Sequence, residues 1–205
     1  MKLSSHFYAM VDPLAGHEPV ELATILIEAG ARVLQLRLKD ACGRDFLAAA
    51  REIAALCRKA NAILLVNDRV DIAMLSGAAG VHLGQTDIPL RAARKLMGPG
   101  AIIGISTASL DQARAADAGG ADYIGFGPLY PGGAKRNASG KGLAILREVR
   151  AAVGVPIVAI GGITEQAIPE VLAAGADAAA IISDVVYAPD IPAKVKRLLA
   201  FDAAA

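Results

Sequence analysis

Short apolar runs rich in β-branched residues recur along the chain, and most are followed by turn-forming residues and then by a stretch with helical spacing. Such runs indicate buried strands, because a strand covered on both faces is apolar without interruption. The predicted strands are, in chain order, His6–Val11, Val33–Leu38, Ile63–Val66, Gly80–Leu83, Ile102–Ser106, Tyr123–Gly127, Ile157–Ile160 and Ala178–Ile182. The predicted helices are Val20–Ala29, Phe46–Ala60, Leu90–Met97, Leu110–Ala118, Leu143–Val149, Ala167–Ala174 and Ile191–Leu199.

Eight strands that alternate with helices favour a parallel sheet. Closing such a sheet gives a (β/α)8 barrel, and 205 residues is near the small end for that fold. An open doubly wound sheet is the rival, although it more often has about five or six strands. No linker or low-complexity segment interrupts the sequence. We therefore predict an α/β protein, a single (β/α)8 TIM barrel over residues 1–205 with a few disordered residues at each end.

Composition narrows the classes of partner. Lys+Arg is 21 and Asp+Glu is 20, which argues against a general polyanion binder, and 4% aromatic residues argue against a base-stacking platform. No apolar run reaches the roughly 18 residues of a membrane span, and the first residues lack a signal-type stretch. Cys42 and Cys57 show neither disulfide nor zinc spacing. We expect a cytoplasmic protein with small-molecule partners and no nucleic acid or membrane, and homo-oligomerisation stays open.

Polar residues alternate along the second predicted strand, in the order Gln35, Arg37 and Lys39. A period of two places them on one face. In a parallel barrel the strand has helices outside and packed side chains inside, so these three need a partner near the barrel mouth. An anion would suit the two cations. The alternatives are an ion pair with neighbouring acids or a fraying strand end.

Two carboxylates follow neighbouring strands: Asp68 comes after Asn67 at the end of the third, and Asp87 follows the fourth. Active sites in barrels gather at these strand ends, and two carboxylates with water and phosphate oxygens are a typical Mg²⁺ arrangement. Alternatively, Asp87 is a helix N-cap and Asp68 pairs with Arg69 or another local base. His82 is expected to pack or hydrogen-bond rather than bind metal, because no second His lies nearby in sequence.

The stretch PLYPGGAKRNASGKG, residues 128–142, follows the sixth predicted strand and has four glycines, three basic residues and no acid. It fits no Walker A frame. Backbone amides together with Lys135, Arg136 and Lys141 could hold an anion. The alternative is an exposed flexible loop.

Glycines follow the seventh predicted strand in Gly161-Gly162-Ile163-Thr164, and Ser183 follows the eighth. Barrels often bind phosphate with backbone amides of these two loops, and glycine permits close backbone approach. The alternative is a tight turn with Thr164 as a helix N-cap. With the cationic zone near strands two to six, the sequence predicts two anion-binding zones. Two phosphorylated substrates, or one with two phosphates, would fill them.

Seven motifs carry a family resemblance in their order: VLQLRLKD, VNDRVDIA, GVHLGQTDIP, IGIST, ADYIGFGPLYP, PIVAIGGIT and AGADAAAIIS. The chain resembles the thiamine-phosphate synthases, a family that also includes the thiazole tautomerases. Each motif alone is weak, but the ordered set spans nearly the whole chain and is specific. The resemblance implies a (β/α)8 barrel that joins 4-amino-5-hydroxymethyl-2-methylpyrimidine diphosphate to 4-methyl-5-(2-phosphoethyl)thiazole, or its carboxylated form, and releases pyrophosphate.

The resemblance also implies roles for individual residues. The pyrimidine diphosphate would contact Gln35, Arg37, Lys39 and Asn67. Mg²⁺ would bind Asp68 and Asp87. The diphosphate side would be held by Ser106 and Lys135, and the thiazole phosphate by Gly162, Ile182 and Ser183. The implied chemistry is dissociative: the metal with Arg37, Lys39 and Lys135 stabilises the departing pyrophosphate, and the thiazole nitrogen captures a pyrimidine-methyl cation.

Two departures from the family pattern matter. Synthases usually read Pro-Thr-x-Thr-Lys after strand six, whereas this chain reads Pro131-Gly132-Gly133-Ala134-Lys135. Both hydroxyls are missing, so the alternatives of a divergent enzyme acting on another phosphorylated heterocycle, or of a non-catalytic sensor of thiazole or thiamine phosphate, stay open. At Ala108 the tautomerases place a catalytic His, so tautomerase activity is not expected.

Overall fold

A computed structural model describes residues 5–130 and 141–204. Eight parallel strands close into a barrel in chain order, with β8 pairing back to β1. The strands are β1 Phe7–Val11, β2 Val33–Leu36, β3 Ile63–Asn67, β4 Gly80–Leu83, β5 Ile102–Thr107, β6 Tyr123–Phe126, β7 Ile157–Ala159 and β8 Ala178–Ile181. The closed barrel confirms the predicted (β/α)8 class, and the open doubly wound sheet is wrong.

The helices follow the strands around the barrel. They are α1 Pro19–Glu28, α2 Gly43–Lys59, α3 Val70–Ser76, α4 Leu90–Met97, α5 Leu110–Ala118, α6 Lys141–Ala152, α7 Ile168–Ala173, α8 Ser183–Val186 and α9 Ile191–Leu199. Short 3₁₀ turns cover Leu14–Gly16, Glu165–Ala167 and Ala200–Ala204. Within the described ranges no helix has the length and apolar character needed to cross a membrane.

Helices α3 and α8 were not predicted from the sequence. They have seven and four residues, too few for a helical period to stand out from a strand or turn. The longest helix, α2, begins at Gly43, three residues before the predicted start at Phe46. Its buried residues Phe46, Ala50, Ile53 and Cys57 recur at helical spacing and face the strands.

Two apolar layers hold the barrel together. The outer layer lies between the strands and the helices and contains most of the buried side chains. The inner layer fills the barrel and includes Tyr8, Met10, Val33, Leu65, Tyr123, Val158 and Ala178. Because all eight strands are parallel, their carboxyl ends meet at one rim, and side chains on successive strand ends become neighbours there.

Candidate active site at the carboxyl ends of the strands

Five polar side chains form a continuous hydrogen-bonded chain inside the barrel. Gln35 Nε2 donates to Tyr8 Oη at 2.8 Å, and Tyr8 Oη lies 2.8 Å from Tyr123 Oη. His82 Nδ1 lies 2.8 Å from Tyr123 Oη, and His82 Nε2 lies 2.8 Å from Ser106 Oγ. The chain therefore runs from β2 to β5 through groups contributed by β1, β6 and β4. We call these five residues the interior chain.

Two glycines make the space that the interior chain occupies. A Cβ at Gly104 on β5 would lie 2.1 Å from Tyr123 Cζ, a severe overlap. A Cβ at Gly125 on β6 would lie 3.0 Å from His82 Cε1. Both glycines occupy inward positions, where a larger residue would displace the rings. The sequence showed these glycines but gave no sign of what they accommodate.

Burial sets the electrostatics of the interior chain. Desolvation raises the pKa of Tyr8 and of Tyr123, so both phenols keep their protons. Desolvation lowers the pKa of His82 to about 4, with the negative charge of Asp87 opposing the shift. His82 is therefore a neutral imidazole near pH 7. The prediction that it hydrogen-bonds rather than binds metal agrees with its two hydroxyl partners.

The carboxylates of Asp68 and Asp87 face each other at the rim. Asp68 has a left-handed backbone with φ 63°, and its amide donates to the His82 carbonyl at 2.8 Å. Asp87 Oδ2 accepts a hydrogen bond from the Gly84 amide at 2.6 Å. Burial raises the pKa of Asp68, and the neighbouring Asp87 raises it further, while Lys39 and Asn67 act in the opposite direction. The tertiary structure thus brings together two acids that are 19 positions apart in sequence.

The structure shows neither the Arg69 pair of Asp68 nor the helix N-cap at Asp87. Arg69 pairs with Asp71 at 2.5 Å rather than with Asp68. The N-cap position of α4 is Pro89, and Asp87 instead closes the turn that begins at Gly84. Asp68 interacts with Asp87, Asn67 and the charge of Lys39, and Asp87 accepts a hydrogen bond from the Gly84 amide.

The fit of a divalent cation can be judged from this pair. Two half-buried carboxylates that repel each other form a site that a cation would stabilise. Over residues 5–130 and 141–204 there is no group of three or more His, Cys, Asp and Glu placed to hold a metal. A two-carboxylate site suits Mg²⁺, which keeps several waters and takes its remaining ligands from substrate phosphates.

The predicted cations of strand two lie beyond the observed end of β2 at Leu36. Arg37 Nη1 donates to Asp12 Oδ2 at 2.5 Å, so the ion-pair alternative holds for this residue. Asp12, at the end of β1, is buried and was missed in the sequence. Lys39 is exposed and lowers the pKa of Asp68, which places its charge beside the carboxylate pair.

The glycines after β7 take up left-handed backbone, with φ 92° at Gly161 and 66° at Gly162. The segment after β6 lies against them, because the Tyr130 amide donates to the Gly161 carbonyl at 3.1 Å. A Cβ at Gly162 would lie 2.9 Å from Tyr130 Cβ, so only glycine fits this approach. Thr164 does precede a 3₁₀ turn, but its side chain makes no capping hydrogen bond.

The loops after β7 and β8 are joined to each other. The Glu165 amide donates to Asp184 Oδ2 at 2.8 Å. Lys194 on α9 bridges Glu165 at 2.9 Å and Asp184 at 3.0 Å. These acids and the lysine were not predicted from the sequence. They hold Ser183, at the start of α8, beside the glycine turn.

A cavity of about 370 Å³ opens next to Ser183 and is lined also by Asp184, Tyr187, Lys194 and Arg197. Lys194 and Arg197 both pair with Glu165, so the positive charge in this cavity is already balanced. Anion binding near Ser183 would therefore depend on backbone amides and the hydroxyl. Ile182, the residue before Ser183, is half-buried and packs on the inner layer.

Lys135 lies outside the described residues, as do Gly132, Gly133, Ala134, Arg136 and Ser139. The residues on either side of this segment meet, because a Cβ at Gly142 would lie 2.3 Å from the Leu129 carbonyl oxygen. Leu129 and Gly142, which flank it among the described residues, are thus close to each other, and Tyr130 contacts the loop after β7.

Comparison with known proteins identifies the family. The family model described as thiamine monophosphate synthase matches residues 7–185. A thiamine-phosphate synthase of Methanocella arvoryzae is 49% identical over 182 residues, which are 88% of this chain and 85% of the relative. A thiamine-phosphate synthase of Moorella thermoacetica is 43% identical over 194 residues, which are 94% of this chain and 92% of the relative.

The chain belongs to the thiamine monophosphate synthase family.

Solved structures agree with this membership. A thiamine phosphate pyrophosphorylase from Pyrococcus furiosus superposes with a TM-score of 0.89 at 35% identity, over 99% of this chain and 98% of that chain. A 3-hexulose-6-phosphate synthase superposes with a TM-score of 0.72 at 20% identity, over 95% of this chain and 98% of that chain. That likeness concerns the barrel fold alone. The resemblance inferred from the seven motifs is thus confirmed at the level of family.

Proposed function

We propose that this member of the thiamine monophosphate synthase family catalyses the reaction for which its relatives are named. The substrates would be 4-amino-5-hydroxymethyl-2-methylpyrimidine diphosphate and 4-methyl-5-(2-phosphoethyl)thiazole, or its carboxylated form. The products would be thiamine phosphate and pyrophosphate, with CO2 as a third product when the substrate is the carboxylated thiazole. Family membership over residues 7–185 supports the proposal.

The facing carboxylates of Asp68 and Asp87 are the observation that carries it. The charge of Lys39 acts on Asp68, and Ser106 lies on strand β5, which pairs with β4 just before Asp87. A diphosphate that bridges a cation at this pair would reach the Lys39 ammonium and the Ser106 hydroxyl. Gln35 and Asn67, both buried on the inner side of the rim, would border the pyrimidine ring.

We propose Mg²⁺ as the ion at Asp68 and Asp87. Bound there, it would neutralise negative charge that gathers on the leaving pyrophosphate. Lys39, Arg37 and Lys135 would add positive charge, and Ser106 would donate a hydrogen bond. In our proposal the C–O bond to the diphosphate breaks with its electron pair on pyrophosphate. The lone pair of the thiazole nitrogen then forms the new C–N bond, and no proton has to be removed.

The second anion zone would take the thiazole phosphate. The left-handed turn at Gly161 and Gly162 would offer backbone amides to the phosphate, and Ser183 precedes Asp184, which joins the loops after β7 and β8. Ile182 would contact the thiazole ring through its apolar side chain. Both substrates are multiply charged and do not cross a bilayer unaided, which supports a cytoplasmic location for the reaction.

Pyrophosphate release tests the function directly. The purified protein is incubated with both substrates and Mg²⁺, and pyrophosphate and thiamine phosphate are quantified. We expect equimolar formation of both products only when both substrates are present. The variant Lys39→Ala should reduce the rate by orders of magnitude. Binding of the thiazole phosphate by calorimetry with no turnover would contradict the enzyme and favour a sensor.

A further inference from the structure

The interior chain links two residues of the proposed site through three residues that have no proposed contact with substrate. Gln35 stands at one end and Ser106 at the other, and Tyr8, Tyr123 and His82 lie between them. Tyr8 and Tyr123 are each 1% exposed or less, and His82 is 6% exposed. Buried polar groups of this kind are costly unless each one finds a partner. Their placement in an otherwise apolar layer indicates a role beyond packing.

The orientation of the Gln35 amide determines the direction of the hydrogen bonds in the interior chain. Gln35 presents its Nε2 to Tyr8 Oη, and an amide nitrogen can only donate. Tyr8 therefore accepts there and gives its own proton to Tyr123 Oη. Tyr123 in turn gives its proton to His82 Nδ1. In the opposite direction Tyr8 Oη would accept from both Gln35 and Tyr123, and its own buried proton would have no acceptor among the described residues, which is costly.

The same reasoning settles the tautomer of His82. Because Nδ1 accepts from Tyr123, it carries no proton, and the proton of the ring is therefore on Nε2. His82 Nε2 then donates to Ser106 Oγ across 2.8 Å. Among residues 5–130 and 141–204 no acceptor takes up the proton of Ser106, which can therefore point into the barrel mouth. In the reverse direction Ser106 would donate to His82 and present only an acceptor.

We infer that Tyr8, Tyr123 and His82 are positioning residues, which together with the Gln35 amide fix Ser106 as a hydrogen-bond donor toward the leaving diphosphate. The inference rests on the proposed function, because it takes the diphosphate as the acceptor. A donor held in advance toward developing negative charge costs no reorganisation during the reaction. A freely rotating serine would spend part of its time with its proton turned toward His82 instead.

Nitrogen NMR of the imidazoles tests the direction in the wild-type protein. The protein has three histidines, and the signals that disappear in the spectrum of His82→Gln are those of His82. We expect a pyrrole-type shift at Nε2 and a pyridine-type shift at Nδ1 of His82. A pyrrole-type Nδ1, or a charged imidazolium near pH 7, would overturn the inference. In Tyr123→Phe, Nδ1 loses its donor, and the two tautomers should become mixed.

Kinetics test whether the direction matters for the reaction. Tyr123→Phe should lower kcat about tenfold to a hundredfold, the range for groups that orient a ligand residue, and leave KM for the thiazole phosphate unchanged. The double variant Ser106→Ala/Tyr123→Phe should be no slower than Ser106→Ala alone, because Tyr123 acts only through Ser106. Multiplying losses would overturn the inference. If Tyr123→Phe does not fold, Tyr8→Phe breaks the same chain one bond earlier.

Thr107→Val is the matched control. Thr107 is buried on the same strand, and its Oγ1 donates to the Gly125 carbonyl at 3.1 Å, outside the interior chain. Its kcat should equal that of the wild type, and a loss as large as that of Tyr123→Phe would assign the effect to packing. An inactive wild-type protein would refute the proposed function, whereas the NMR result stands on its own and still decides the direction of the chain.

Discussion

Arg37 Nη1 donates to Asp12 Oδ2 at 2.5 Å, which ties the end of β1 to the first residue after β2. The Asp12 side chain is 4% exposed, whereas that of Arg37 is 32% exposed. One partner is therefore anchored in the barrel while the guanidinium still reaches the mouth. The pair fixes the position of Arg37 and also balances its charge, so in the proposed function Arg37 would contact the diphosphate through its remaining N–H groups and not as an unpaired cation.

Asp12→Ala should loosen Arg37. We expect KM for the pyrimidine diphosphate to rise about tenfold with KM for the thiazole phosphate unchanged. The free energy of unfolding should fall by about 2 kcal/mol, as for other hydrogen bonds to charged groups. Steady-state kinetics and urea unfolding measure both effects. Asp71→Ala is the matched control, because its ion pair with Arg69 is equally short but exposed, and an equal loss of stability there would count against the argument.

Asp68→Asn should separate metal binding from stability. The acid is destabilised in the folded protein by burial and by Asp87, so its replacement should raise the melting temperature without metal. The same variant should lose activation by Mg²⁺ and the thermal stabilisation that added Mg²⁺ gives the wild type. Scanning fluorimetry over a Mg²⁺ titration measures both. Full wild-type activity in excess chelator would eliminate the metal role.

Gly104→Ala should displace Tyr123. The new Cβ would lie 2.1 Å from Cζ of a ring that the interior chain holds on both sides. Overpacking of this kind costs about 1–3 kcal/mol of unfolding free energy, and a loss in kcat should accompany it. Gly100→Ala meets no atom within 4 Å and serves as the control. Similar denaturation midpoints for the two variants would contradict this prediction, because they would show that Tyr123 can move aside without loss of stability.

Gly162→Ala should weaken binding of the thiazole phosphate selectively. Its Cβ would lie 2.9 Å from Tyr130, on backbone with φ 66°. KM for the thiazole phosphate should rise, while KM for the pyrimidine diphosphate stays close to that of the wild type. Gly98→Ala is the control, because Gly98 has φ 83° but open space around it. If both variants bind the thiazole phosphate equally well, the glycine turn is not its site.

Cys57 should not react with thiol reagents while the protein is folded. Burial raises its pKa from 9.0 to about 11, with Arg58 acting weakly against the shift, whereas Cys42 is exposed. At pH 8 a thiol reagent should modify one cysteine quickly and the second only on unfolding.

The raised pKa of Cys57 also makes stability depend on pH. As the pH rises, the unfolded chain loses the Cys57 proton at a lower pH than the folded protein does. The contribution of Cys57 to the free energy of unfolding is therefore fully present below pH 9 and is lost as the pH rises toward 11. Cys57→Ala should flatten that part of the pH profile, and two fast thiols at pH 8 would contradict the burial.

The sequence allowed the barrel and most strand positions to be predicted because apolar periodicity reports burial directly. It also placed Asp68 and Asp87 at neighbouring strand ends, since parallel strands in chain order put successive ends side by side. The assignment of Arg37 was incomplete. The residues next to it in sequence do not distinguish an arginine that binds an anionic ligand from one that is paired with Asp12.

The sequence by itself determined the class of fold, the rim at which polar residues gather and the family to which the chain belongs. Only the tertiary structure decided which of those polar groups meet. Tyr8 and Tyr123 are 115 positions apart, and their contact depends on closure of the barrel and on the space left by Gly104. A hydrogen bond needs its two atoms within about 3 Å, so the choice of partner is fixed by packing in three dimensions and not by spacing along the chain.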